Sequence, residues 1–129
     1  MTTTTTQANK LDDFTRAYIE CALWASIDLD TCEPLDDTHT IADLAEETLQ
    51  AMIADCQQFQ TENGHLFEGV EGQAGHDFWL TRNHHGAGFW DRGRDFFPND
   101  PNGEQLTQKA HEAGEKYLYI GDDGKLYID

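Results

Sequence analysis

The chain has 129 residues, with 25 Asp and Glu against 8 Lys and Arg, giving a formal net charge of −17 at neutral pH. A chain of this length buries about two-thirds of its unfolded surface in one core, and 38% apolar and 11% aromatic residues supply the material for it. A field of that sign repels nucleic acid and anionic membranes and attracts basic protein surfaces, which excludes direct DNA or RNA binding.

No apolar run approaches the roughly 18 residues of a membrane span, and no signal-peptide pattern opens the chain. Residues 1–10, which contain Thr2 to Thr6, are expected to be a disordered lead-in, and residues 11–129 a single α+β domain. Cys21, Cys32 and Cys56 are odd in number, widely spaced and without a CxxC pair. They read as reduced thiols of a cytoplasmic protein, with Cys21 and Cys56 on apolar helix faces.

In chain order, residues 11–27 form the first predicted helix: Leu11, Phe14, Tyr18, Cys21, Ala22 and Ala25 recur at three-and-four spacing, and Asp12 and Asp13 suit its N-terminal dipole. Residues 28–37 are an acidic connection broken by Pro34. Asp28-x-Asp30 fails as a calcium loop, because Glu33 stands where the turn glycine belongs and His39 where the bidentate Glu belongs. A second helix is predicted over 41–60, opened by a Thr40–Asp43 capping box, carrying the stripe Ile41, Leu44, Ala45, Leu49, Met52, Ile53, Cys56 and Phe59, and stopped by Asn63-Gly64. Residues 65–74 read as a loosely structured approach to an aromatic, His-rich segment.

That segment, residues 75–93, holds two of the three Trp, three of the six His and two of the four Arg. Phe78 to Leu80 and Phe89 to Trp90 flank a polar, Gly-rich connection, the grammar of a β-hairpin with a long loop. Arg94 to Gly103 is turn-rich, Glu104 to Glu115 a third helix, and Tyr117 to Ile120 with Lys125 to Ile128 a second hairpin about Gly121-Asp122-Asp123-Gly124. The order ααββαββ places two to three helices on a small, mostly antiparallel sheet.

His65, His76, His84 and His85 lie close enough in sequence to raise zinc. Adjacent His84-His85 rarely reach one ion together, no Cys lies nearby and no HExxH occurs, so neither metal nor other cofactor is expected. His76 with Asp77, and His84 or His85 with Asp91, are the pairs a small acid–base or metal-dependent hydrolase would use, and this is the alternative functional reading. Gly86-x-Gly88 lacks the rest of any phosphate-binding pattern. The preferred role of His76, Asp77, Trp79, Arg82, Trp90, Asp91 and Arg92 is structural, with Arg–Asp pairs bridging the two strands of the first hairpin.

From Asp12 to Glu71 there are fifteen acids and one base, Arg16. Nine of them, Asp28, Asp30, Glu33, Asp36, Asp37, Asp43, Glu46, Glu47 and Asp55, are expected to form one acidic surface. A helix from Asp43 to Asp55 would span about 18 Å, a length over which duplex DNA carries about ten phosphates. Helix and loop acids together approach that density if they share a face, which is the basis for expecting mimicry of nucleic acid before a basic protein.

The pieces Gly-His-Asp-Phe-Trp-Leu-Thr-Arg-Asn (75–83) and Gly-Ala-Gly-Phe-Trp-Asp-Arg-Gly (86–93), with Tyr18 to Trp24 and Tyr119 to Gly124, resemble a family of small acidic proteins of bacteriophages and mobile elements. The likeness covers most of the chain after the Thr tract; His84 stands where that pattern has Gly. The resemblance implies a phage setting and no particular activity. The resulting expectation is a non-enzymatic phage accessory protein that binds and inhibits a basic, nucleic-acid-handling host or defence protein in the host cytoplasm.

Overall fold

The computed structural model describes residues 11–129, so the predicted lead-in over 1–10 lies outside the described residues. Among the described residues four α-helices, α1 (Asp13–Ala25), α2 (Glu46–Asn63), α3 (Glu71–Arg82) and α4 (Glu104–Ala113), pack around one apolar cluster. Antiparallel strands β1 (Leu118–Ile120) and β2 (Leu126–Ile128) close the chain. The class is α+β, but the order ααββαββ is corrected to four helices followed by one hairpin.

The correction falls on residues 75–93. Phe78-Trp79-Leu80 lie in α3, and Phe89–Asp91 make a single 3-10 turn; neither is a strand. The approach over 65–74, expected to be loose, runs from a 3-10 turn at Gly64–Leu66 through an irregular turn over 67–70 into the first turn of α3. The physical reason is burial on every side. Ala74, Gly75, Asp77 and the unbroken run Phe78 to Arg82 are all buried, and a helix buried all round shows no apolar stripe.

α3 is seated by Gly75. A Cβ there would stand 2.0 Å from the carbonyl oxygen of Phe14, so α1 and α3 cross at backbone contact. The cluster formed at this crossing is aromatic: Phe59 stacks on Phe78 at 4.1 Å, Phe14 on Phe67 at 5.3 Å, and Trp79 meets Tyr18 edge-on at 5.4 Å. These separations lie in or near the range where ring pairs add to the gain from buried area.

α1 begins two residues later than the stripe indicated, with Asp12 as its N-cap accepting from the Thr15 N–H at 2.8 Å. The capping box of Thr40 and Asp43 forms, yet it opens a one-turn 3-10 helix, Ile41–Asp43, and not α2. Leu44 and Ala45 are extended because they serve the hairpin: Leu44 bridges Leu126, and the Ala45 N–H donates to the Leu126 carbonyl at 3.0 Å. α2 therefore starts at Glu46 and ends at Asn63, where the side chain donates to the Phe59 carbonyl.

α4 takes its N-terminal cap from a distance. Asp100, 4% exposed, accepts from the N–H groups of Gln105 and Leu106. In the hairpin, Leu118 and Leu126 face the core while Tyr119 pairs with Tyr127 on the outer face. Gly124 takes a left-handed φ of 83° in the turn, a conformation only glycine adopts freely.

Candidate functional site

The two arginines of the 75–93 stretch turn inward. Arg82, at the end of α3, is 1% exposed and makes four hydrogen bonds: Nε to the Gly114 carbonyl at 2.7 Å, Nη2 to the Ala113 carbonyl at 2.9 Å, and Nη1 to the Tyr18 hydroxyl and to Asp55 Oδ2, each at 2.9 Å. Its guanidinium lies 5.0 Å from the Phe78 ring centroid. One side chain thus ties α1, α2, α3 and the end of α4 together. Arg92 forks onto the fully buried carboxylate of Asp77, Nε to Oδ2 at 2.9 Å and Nη2 to Oδ1 at 2.8 Å. The Asp77 bond raises the Arg92 pKa. These are Arg–Asp pairs as expected for a scaffold, but they join helix to loop and helix to helix, not strand to strand.

The remaining motif residues divide. Trp79 is buried; Trp90 is 41% exposed beside α4. Asp91 Oδ2 accepts from the Gly88 N–H at 3.0 Å, closing the 3-10 turn. His76 faces Trp24 at 6.0 Å between centroids, in a groove of about 690 Å³ between α1 and α3.

The expected acid–base pairs are not the ones formed. Asp77 is held by Arg92 and Gln73, Asp91 by Gly88, and His84 stacks on His111 at 4.4 Å with Glu115 3.6 Å from its Nε2. Among the described residues no group of three or more His, Cys, Asp or Glu side chains is arranged to hold a metal ion. His84 carries φ 57°, the left-handed region, which explains why a glycine suits that position.

The nine candidate acids are not one surface. Asp55 is bound to Arg82 on the side of the molecule where α2 meets α4, so its carboxylate serves the interior. Asp36 borders the α1–α3 groove with Glu20 and Arg92. Asp43 is partly occupied as the cap of Thr40 at 2.7 Å.

Asp37 lies in the 3-10 turn Leu35–Asp37, away from the rest, while Asp28, Asp30, Glu46 and Glu47 lie near the hairpin. The Asp28–Glu33 segment is a tight turn, closed by Asp28 N–H to the Glu33 carbonyl at 2.9 Å and by Asp30 N–H to Asp28 Oδ1 at 2.9 Å. Asp28 and Asp30 line one groove with Tyr117, Tyr119 and Asp122. On the opposite edge, Glu46 and Glu47 follow the Leu44–Ala45 segment that is bonded to β2. Asp123 accepts from the Tyr127 hydroxyl at 2.6 Å; this bond, with the charges of Asp123 and Glu47, pushes the Tyr127 phenol up to about 12.

Carboxylates therefore line both edges and the turn of the hairpin, with Lys116 and Lys125 set among them. Asp122, Asp123 and the three tyrosines belong to this rim and were passed over as turn and strand residues. The alternation Tyr117-Leu118-Tyr119-Ile120 carried the signal, since period-two spacing puts its tyrosines on the face opposite the core.

No family model, no curated protein and no solved structure matches the chain. No helix among the described residues is long and apolar enough to cross a membrane.

Proposed function

We propose that this domain is a non-enzymatic binder of a basic, nucleic-acid-handling protein, which it engages through the acidic rim of its C-terminal hairpin. A bacteriophage setting, with the target in the host or in one of its defence systems, is part of the reading. The observation that carries it is the segregation of charge. Arg82 and Arg92 are drawn inward onto Asp55 and Asp77, while Asp28, Asp30, Glu46, Glu47, Asp122 and Asp123 stay at the hairpin. The hairpin carries two bases of its own, Lys116 and Lys125, which these six acids outnumber, so in a chain of net charge −17 the face stays negative, steers basic proteins and competes with phosphate for them.

The test is capture of partners from host lysate by the tagged domain at rising salt, with a DNA duplex as competitor. Binding through the rim falls steeply between about 0.05 and 0.3 M salt, as the Debye length shortens, and DNA displaces the captured protein. The variant Asp30→Lys/Glu46→Lys/Glu47→Lys spares every hydrogen-bonded cap side chain and abolishes capture while leaving the circular dichroism spectrum intact. Unchanged capture by that variant refutes the reading.

A further inference from the structure

We propose that the outer face of the hairpin is a stacking platform for arginine side chains, so that the occupant of the rim is an arginine-rich segment of the partner protein. The inference rests on the proposed function and narrows it from charge to a residue type and a place.

Tyr117, Tyr119 and Tyr127 form a continuous ladder on that face, with centroids 5.9 Å apart for the first pair and 6.1 Å for the second. Tyr117 is 50% and Tyr119 37% exposed, although their strand neighbours Leu118 and Leu126 are fully inside. The ladder is not left over from packing, because the inner face of the same two strands already supplies the core contacts.

Charge complementarity selects the occupant. Asp28, Asp30 and Asp122 line the same groove as Tyr117 and Tyr119, and Asp123 is bonded to Tyr127; against these four acids the turn sets one base, Lys125, beside Asp123. Rings set among carboxylates bind a cation twice, through the ring face and through the charge. Arginine fits better than lysine because its planar, weakly hydrated guanidinium stacks on a ring while its edge forks onto a carboxylate. The same chain uses this arrangement internally, where Arg82 lies over Phe78 and bonds Asp55. Nucleic acid bases also stack on tyrosine, but their phosphates meet a field of the wrong sign. A second copy of this chain brings another −17 to the contact.

The experiment uses the full chain and two synthetic peptides of equal length and charge, an alternating Gly-Arg repeat and its Gly-Lys counterpart. Affinities are read by calorimetry, and the tyrosine ring signals are followed by NMR. The arginine peptide is expected to bind about ten times more tightly than the lysine peptide, given two exposed rings each contributing a severalfold factor, and to shift the ring signals of Tyr117 and Tyr119. Tyr117→Leu/Tyr119→Leu keeps the charge and the strand pattern; it removes the arginine preference and leaves the lysine peptide's affinity unchanged. Asp30→Asn/Asp122→Asn weakens both peptides alike.

Equal binding of the two peptides, indifferent to the tyrosine substitutions, overturns the platform while leaving the acidic rim as a binder. No binding of either peptide overturns it too, and with loss of lysate capture takes the parent reading with it. Self-association of the chain abolished by the double Leu variant assigns the face to a second copy and also overturns the proposal.

Discussion

Replacing Arg82 by Met is the sharpest probe of how this fold is held. The guanidinium is 1% exposed and makes four hydrogen bonds, two of them to the backbone carbonyls of Ala113 and Gly114 at the C-terminal end of α4. A buried ion pair replaced by apolar groups is often neutral, because removing both charges also removes their desolvation cost. That route is only partly open here, since no side-chain change removes the two backbone carbonyls. The fully buried Tyr18 hydroxyl, left without its donor, costs about 1–3 kcal/mol, whereas the carbonyls of exposed Ala113 and half-buried Gly114 recover part of their loss from water. Asp55 is a third exposed and rehydrates, so its share is small. Packing of the Met stem on Phe78 offsets part of the sum, and a net loss of about 2–3 kcal/mol follows, a sizeable fraction of the roughly 5–15 kcal/mol available to a domain. Arg82→Lys, whose point charge reaches some of the four acceptors and not all, costs about half as much. Asp55→Asn keeps an acceptor facing Nη1 and costs about 1 kcal/mol. Urea melts followed by tryptophan fluorescence give the order directly. If Arg82→Met lies within 1 kcal/mol of the parent, or Asp55→Asn equals it, the network is not what joins the helices.

Three further outcomes follow from the same geometry. Gly75→Ala forces a methyl group onto the Phe14 carbonyl and destabilises by about 2–3 kcal/mol, whereas Gly72→Ala, in the same helix with nothing within 4 Å, stabilises by about 0.5–1 kcal/mol; equal effects in thermal melts refute the close crossing of α1 and α3. Burial pushes the Cys21 thiol up to about 12 and the Cys56 thiol higher still, while Cys32 is exposed, so a thiol reagent at pH 8 titrates one cysteine quickly in the native protein and all three after unfolding. Asp12 is partly desolvated, which raises its pKa, but the bonds from Thr15 and Gln60 outweigh this and hold it below 3.8. Its folded-state pKa being depressed, the stability it adds is present above the unfolded value and lost as pH falls through the folded one; the gap of about 1 kcal/mol between parent and Asp12→Ala at pH 7 therefore narrows below about pH 4, and a gap constant down to pH 2 contradicts the cap.

What was legible was whatever a local rule could decide. α1, α2 and α4 each show one wet face, so apolar spacing placed them within a few residues, and Gly121 to Gly124 named the hairpin turn. α3 was misread because its signals point elsewhere one at a time. Gly72 and Gly75 lower helix propensity, and Phe78-Trp79-Leu80 is a compact aromatic run of the kind strands favour. The decisive fact is tertiary: Gly75 is needed for the crossing with α1, and the apolar run is enclosed by helices on all sides. The start of α2 failed for a related reason, since the Ala45 N–H is taken by β2 from more than eighty residues away.

The acidic surface shows how the same limit acts on function. Spacing along the chain treated Asp55 as one of nine like charges, and only the fold reveals that it answers Arg82. Its withdrawal changes what the remaining acids can do. A helix bearing Asp43, Glu46, Glu47 and Asp55 in line would present carboxylates along one axis, as a phosphate backbone does. With Asp55 turned to Arg82, Asp43 on a separate 3-10 turn and Asp122 and Asp123 added from the hairpin, the charge instead flanks exposed tyrosines, with Lys125 as the base in the turn. Carboxylates flanking aromatic side chains are better matched to guanidinium groups projecting from a protein than to the groove that receives a straight duplex. Discrimination between arginine and lysine, more than total charge, is therefore the property that separates this geometry from a plain acidic surface.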